Sequence, residues 1–139
     1  MSQHAIFWPM IAHVALVYAV YVLIAMRRKK AVETGSARVS QFRENRDEPA
    51  ESLFVRNNLA NQFELPVLFH AVCLALFVTG GAGPVAVWLA WAFVLSRYAH
   101  AFVHVTSNRI RFRQPMFTLG FLALGAMWGL LALTLWNAG

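Results

Sequence analysis

Four long apolar runs, Ala5–Met26, about Asn61–Thr79, Val85–Val105 and Met116–Trp136, constrain this chain more than any other feature. Each has about 20 residues, enough for an α-helix to cross roughly 30 Å of hydrocarbon. A soluble domain of 139 residues would need more charged surface than 13% of its side chains supply, and here 59% are hydrophobic. With a mean hydropathy of +0.53, the expectation is an all-α integral membrane protein, a single four-transmembrane-helix bundle over residues 1–139. Its spans fall at about 5–26, 52–79, 84–108 and 114–137, with a loop at 27–50 and no separate soluble module.

A net charge of +6 raises nucleic acid as a partner, but the placement of the charge speaks against it. Arg27, Arg28, Lys29, Lys30, Arg38, Arg43 and Arg46 lie in the first connection, and Arg109, Arg111 and Arg113 in the third. The second connection, around Gly80–Pro84, and the two ends of the chain carry almost none. Basic residues on one side of a four-span chain mark the cytoplasmic face, which places both termini on the other side. The polybasic tract beside the first span reads as contact with anionic membrane lipid. The host membrane would be the inner or plasma membrane in a bacterium, or the endoplasmic reticulum in a eukaryote.

The first span does not read as a cleaved signal, because its positive charges follow the apolar run instead of preceding it. The one cysteine, Cys73, lies within an apolar run, so no intrachain disulfide forms and no zinc cluster or other metal site is expected. His13 reads as a neutral imidazole hydrogen-bonded inside the bundle. In the fourth span, Gly125 and Gly129 have the small-xxx-small spacing that permits close helix approach.

The chemistry concentrates in Arg56–Pro66, at the head of the second span. On a continuous helix Asn57, Asn61 and Glu64 share one face, with Asn58 beside it and Arg56 turned away. Asp47 and Pro49 mark the start of that helix, and Pro66 should bend it and free a carbonyl near Gln62. A carboxylate at this depth costs several kcal/mol unless paired, which makes Glu64 a site candidate. The third span answers with Arg97, His100, His104 and Asn108, spaced to fall on one face. Arg97 lies some 18 Å inside Arg109 and needs Glu64 or another polar group of the second helix as partner. Together with Arg109, Arg111 and Arg113 these groups suit a small zwitterion with excess negative charge. Glutathione, with two carboxylates, an ammonium and a thiol, fits, as do other small anions. An arginine near the sulfur would favour the thiolate.

These residues resemble the MAPEG proteins, the membrane-associated proteins in eicosanoid and glutathione metabolism. The resemblance covers the whole chain. Its most specific part is Asn61, Glu64 and Pro66, reinforced by Arg97, His100 and the basic turn Arg109–Arg113. It implies a homotrimer that binds glutathione as co-substrate between adjacent subunits, with a small lipophilic second substrate entering from the bilayer. Asn61 and Glu64 are implied as glutathione contacts, Arg97 and His100 as third-helix supports, and Arg113, with Arg109 as the other candidate, as the arginine that stabilises the thiolate. Arg56, Asn57 and His104 complete the candidate binding set. The chain also departs from the family pattern. Asn57 stands where an arginine is usual, with Arg56 one position off; His104 stands where active members carry tyrosine; and Phe117 stands where an aromatic hydroxyl is often found.

The function expected from this is a glutathione-dependent membrane transferase or peroxidase. A glutathione- or lipid-binding membrane protein without catalysis is the first alternative. The second is a bis-histidine haem protein, because His13 and His70 sit at similar depths in their spans.

Overall fold

Helices form over each apolar run, and the polar flanks extend them. In the computed structural model, which describes all 139 residues from Met1 to Gly139, a short 3₁₀ turn at Gln3–Ile6 leads into α1 (Phe7–Glu33). There follow α2 (Val39–Glu44), α3 (Ala50–Asn61), α4 (Leu65–Val78), α5 (Pro84–Val105) and α6 (Ile110–Ala138). Four stretches are long and apolar enough to cross a membrane: Gln3–Glu33, Ala50–Val78, Pro84–Val105 and Ile110–Ala138. The molecule is a multi-pass membrane protein built as a four-helix bundle, with α3 and α4 sharing one span.

The connection between the first and second spans is more ordered than its mixed charge implies. α1 continues through the basic tract to Glu33, where Thr34 Oγ1 donates to Lys30 O at 2.9 Å and Ser36 Oγ to Ala31 O at 3.1 Å. α2 starts because Gln41 Oε1 accepts from the backbone N–H of Arg38, satisfying one donor of its first turn. The start of α3 is then tied back to α1. Arg28 forks onto Glu48, its Nε at 2.8 Å from Oε1 and its Nη2 at 3.0 Å from Oε2. Arg56 Nη1 adds a contact to Oε2 at 3.3 Å, and Arg27 Nη1 donates to Glu51 O at 3.2 Å. Burial pushes the Glu48 carboxyl up, but hydrogen bonds from Arg28 and Ser52 and the charges of Arg28 and Arg56 outweigh it and hold it below the usual carboxylate range.

The second span breaks where a bend is expected. Pro66 has no N–H for the carbonyl of Gln62, and α3 stops at Asn61 while α4 begins at Leu65, with Glu64 in an irregular conformation between them. α4 ends in a Schellman turn: Gly81 N–H donates to Leu76 O at 2.8 Å and Gly80 N–H to Phe77 O at 3.2 Å. Gly80 takes the positive φ (+76°) that this turn requires.

α5 is the central helix: 50% of its apolar window is buried, against 28–33% for the other three spans. It packs most extensively on α6 and also touches α1, α3 and α4. The close approach of α5 and α6 is set by Gly120, where an added Cβ would lie 2.5 Å from Ser96 Oγ. At Gly125 and Gly129, the pair expected to permit such an approach, an added Cβ would meet no other part of the chain within 4 Å. The reason is register: Gly120, Ala123, Leu124, Met127 and Leu131 form the buried stripe of α6, and residues 125 and 129 lie off it.

Two apolar clusters result. The larger contains Phe69, Val72, Leu76, Phe93, Leu124 and Met127, with Phe69 and Phe93 stacked at a centroid distance of 4.5 Å. The smaller, toward the basic end, contains Leu16, Val20, Ile24, Val55 and Ala101. Between them along the helices lie buried His13, Asn58, Gln62 and Arg97, with His100 and His104 nearby. The bundle therefore carries a polar layer through its middle.

Candidate functional site

Arg97 organises that layer. Its side chain is 2% exposed, so its guanidinium must find acceptors inside the protein. Nη2 donates to Asn61 Oδ1 and, at 3.5 Å, reaches Gln62 Oε1. Asn61 Nδ2 in turn donates to Glu64 Oε2 at 2.7 Å. The carboxylate and the guanidinium are thus joined through an amide, without a direct ion pair. Glu64 itself is exposed, and Oε1 has no partner within the chain.

Beside this triad a cavity of about 220 Å³ opens, lined by Asn61, His100, His104, Arg113, Gln114 and Phe117. His100 and His104 meet edge to face at 5.6 Å between ring centroids. His100 Nδ1 and Arg97 Nε are buried without a hydrogen-bond partner. Arg113 Nη1 donates to Asn108 Oδ1, which aims the guanidinium back from the first turn of α6 toward the end of α5. Asn108 takes a left-handed φ of 49°, as asparagine tolerates, and lets the chain turn there.

The expected site residues divide. Asn61, His100, His104 and Arg113 line the cavity, Arg97 lies behind them, and Glu64 is outside the lining but hydrogen-bonded to Asn61. Three others are elsewhere. Asn57 is exposed, while its neighbour Asn58 is fully buried, so the inward face of α3 is one residue round from the face expected. Arg56 is drawn to Glu48 and to Asn45 Oδ1, at 3.3 and 3.0 Å. Arg109 is exposed at the N-terminus of α6, as is Arg111, whose guanidinium stands 5.8 Å over the Phe112 ring.

Sequence reasoning left Gln62, Asn58 and Gln114 out of the candidate binding set, although it placed Asn58 beside the polar face of the second span. The first two form an i, i+4 pair as visible as Asn57 and Asn61, and Gln62 Nε2 donates to Asn58 Oδ1 at 3.1 Å. From Gln62 the polar contacts continue to His13 Nε2 at 3.1 Å, and from His13 Nδ1 to His70 Nε2 at 3.0 Å. His13 is hydrogen-bonded inside the bundle, as expected. The same contact leaves no gap for a metal between the two rings as they stand. Metal–imidazole bonds of about 2 Å set two axial nitrogens about 4 Å apart with the metal between them, and these two rings bond directly to each other.

The whole bundle, with this cavity at the meeting of α3, α5 and α6, also matches a known sequence pattern: residues 5–133 fit the model of the MAPEG family. The chain belongs to the MAPEG family. No curated protein and no solved structure matches it. MAPEG membership fits a glutathione-related membrane protein. A MAPEG chain still needs its activity argued from the cavity, since one fold hosts several chemistries.

Proposed function

We propose that this protein is a glutathione-dependent membrane transferase or peroxidase acting on lipophilic electrophiles or hydroperoxides. The observation that carries the reading is the cavity in which Arg113, His100, His104 and Asn61 converge, with the Glu64 carboxylate hydrogen-bonded to Asn61. Glu64 would take the glutathione ammonium, and the arginine side of the site its carboxylates. Arg113 would hold the sulfur as thiolate by opposing charge. Attack on a carbon electrophile forms the S–C bond and expels the leaving group with its electron pair. Attack on a hydroperoxide forms an S–O bond and breaks O–O; the alkoxide takes a proton, and a second glutathione converts the sulfenic acid to disulfide and water. At about 220 Å³ the cavity is smaller than the roughly 300–1,000 Å³ usual for small-molecule sites. That supports a second copy completing it in a homotrimer. By the positive-inside rule this end would face the cytoplasm.

A second reading is glutathione or lipid binding without catalysis. It is favoured by the lining itself: none of Asn61, His100, His104, Arg113, Gln114 and Phe117 carries a hydroxyl. Calorimetric titration of purified protein with glutathione, followed by turnover assays with a chlorinated dinitroaromatic and an organic hydroperoxide, separates the two. Binding with turnover is expected. Binding alone selects the second reading, and no binding sinks the first reading and the glutathione half of the second.

A further inference from the structure

The hydrogen bonds behind the cavity run in one direction. Gln62 Oε1 faces Arg97 Nη2 at 3.5 Å, and arginine can only donate, so this atom is the amide oxygen and Nε2 points the other way. Nε2 then donates to Asn58 Oδ1 at 3.1 Å, which leaves Asn58 Nδ2 facing His104 Nδ1 at 3.3 Å. An amide N–H can only donate, so His104 Nδ1 accepts and a neutral ring carries its proton on Nε2. On the other side His13 Nε2–H donates to Gln62 Oε1, which leaves His13 Nδ1 to accept from His70 Nε2–H. The reversed chain is also self-consistent between its own members. It would, however, turn the Gln62 NH₂ group toward a buried guanidinium. His104 Nε2 has no partner within the protein and is not sealed, since the buried unpartnered atoms are Arg97 Nε and His100 Nδ1 alone. His104 is 7% exposed and lines the cavity, so the opening at this nitrogen is toward the cavity.

We propose that Asn58 and Gln62 are positioning residues: the one-way chain that Arg97 anchors at Gln62 holds the His104 proton on Nε2, so that His104 presents a neutral N–H donor to the ligand beside Arg113. A ring free to choose its tautomer would offer the cavity a donor or an acceptor; this one offers a donor, which suits an anionic sulfur or a carboxylate. The ligand half rests on the glutathione reading, while the tautomer half stands on the hydrogen bonds alone.

Histidine-¹⁵N-labelled protein in nanodiscs, without ligand, reports the protonated ring nitrogen through long-range ¹H–¹⁵N correlations, with His104→Gln identifying the signals. A His104 ring protonated at Nε2 only is expected. Asn58→Asp places an acceptor-only group against Nδ1 and should move a proton there. Gln62→Glu keeps the acceptor for His13 and Arg97 but removes the donor to Asn58, and should leave His104 in mixed tautomers. A wild-type ring protonated at Nδ1, or an Nε2–H ring that persists in both variants, overturns the proposal. If a variant does not fold, the wild-type spectrum still decides. Asn58→Leu should weaken glutathione binding roughly three- to tenfold, the scale of one neutral hydrogen bond, and undiminished binding would overturn the ligand half. Failure of wild-type protein to bind glutathione would sink the proposed function and leave the ring-nitrogen result intact, so the two ideas fail separately.

Discussion

Arg97 is a guanidinium buried well inside a membrane-spanning helix, and its partners explain why Glu64 remains available. Had Arg97 paired directly with Glu64, the carboxylate would be spent on structure. Instead Asn61 and Gln62 supply neutral acceptors and Asn61 relays one hydrogen bond to Glu64 Oε2. Glu64→Gln keeps the Asn61 contact but removes the charge, so glutathione binding should weaken roughly three- to tenfold while the protein stays folded. Unchanged affinity by calorimetry would take Glu64 out of the site. Arg113→Ala should raise the pKa of the bound thiol by about one unit or more, because an opposite charge within about 4–6 Å is removed. The readout is loss of thiolate absorbance near neutral pH. Arg109→Ala should leave it unmoved, since Arg109 is exposed and lies outside the cavity.

Among the helices, the contact between α5 and α6 and the tie between α1 and α3 set the shape of the site. A Cβ at Gly120 would lie 2.5 Å from Ser96 Oγ, and Ser96 is held by its bond to Phe93 O at 2.6 Å. Gly120→Leu should therefore destabilise the bundle by about 1–3 kcal/mol, the usual cost of overpacking, whereas Gly125→Leu meets open space. Thermal melts in one detergent compare the two. The tie at Glu48 has a pH signature. Its folded-state pKa is depressed, so the ionised carboxylate stabilises the fold above the unfolded range near about 4.3 and that contribution is lost as pH falls through the lower folded value. Glu48→Gln should cost about 1.5–3 kcal/mol at neutral pH, as for hydrogen bonds to a charged group. The gap between wild type and variant should close below about pH 4. A constant gap across that range would mean that the charge of Glu48 contributes nothing.

For the molecule as a whole, the even number of spans and the one-sided basic charge define the orientation to be tested. In a Cys73→Ser background, Ser36→Cys and Ser2→Cys report the two ends of the bundle, both positions being exposed. A membrane-impermeant maleimide applied to intact cells should label Cys at position 2 and spare position 36. The opposite pattern would invert the topology and move the cavity to the other face. Most of this architecture was legible in advance, because burial in lipid demands long apolar runs and the basic residues sort to one end. The site was legible only in part. Asn61, Arg97, His100, His104 and Arg113 come together, yet Asn57, Arg56 and Arg109 do not.

The reason lies in what a pattern can encode. Apolar length and charge placement by themselves determined four spans, a basic end and the presence of a polar patch in the second and third helices. Which of two equally polar faces of α3 turns inward is not a property of α3. Asn57 and Asn58 carry the same amide one position apart, and the choice between them falls to the packing of Val55 beside Ala101 and Leu16 and to the hydrogen bonds that Asn58 makes with Gln62 and His104. The fate of Arg56 likewise depends on Glu48, eight residues back and folded against Arg28 of another helix. Tertiary structure decided both, because each is a competition among distant groups for the same buried hydrogen-bond partners.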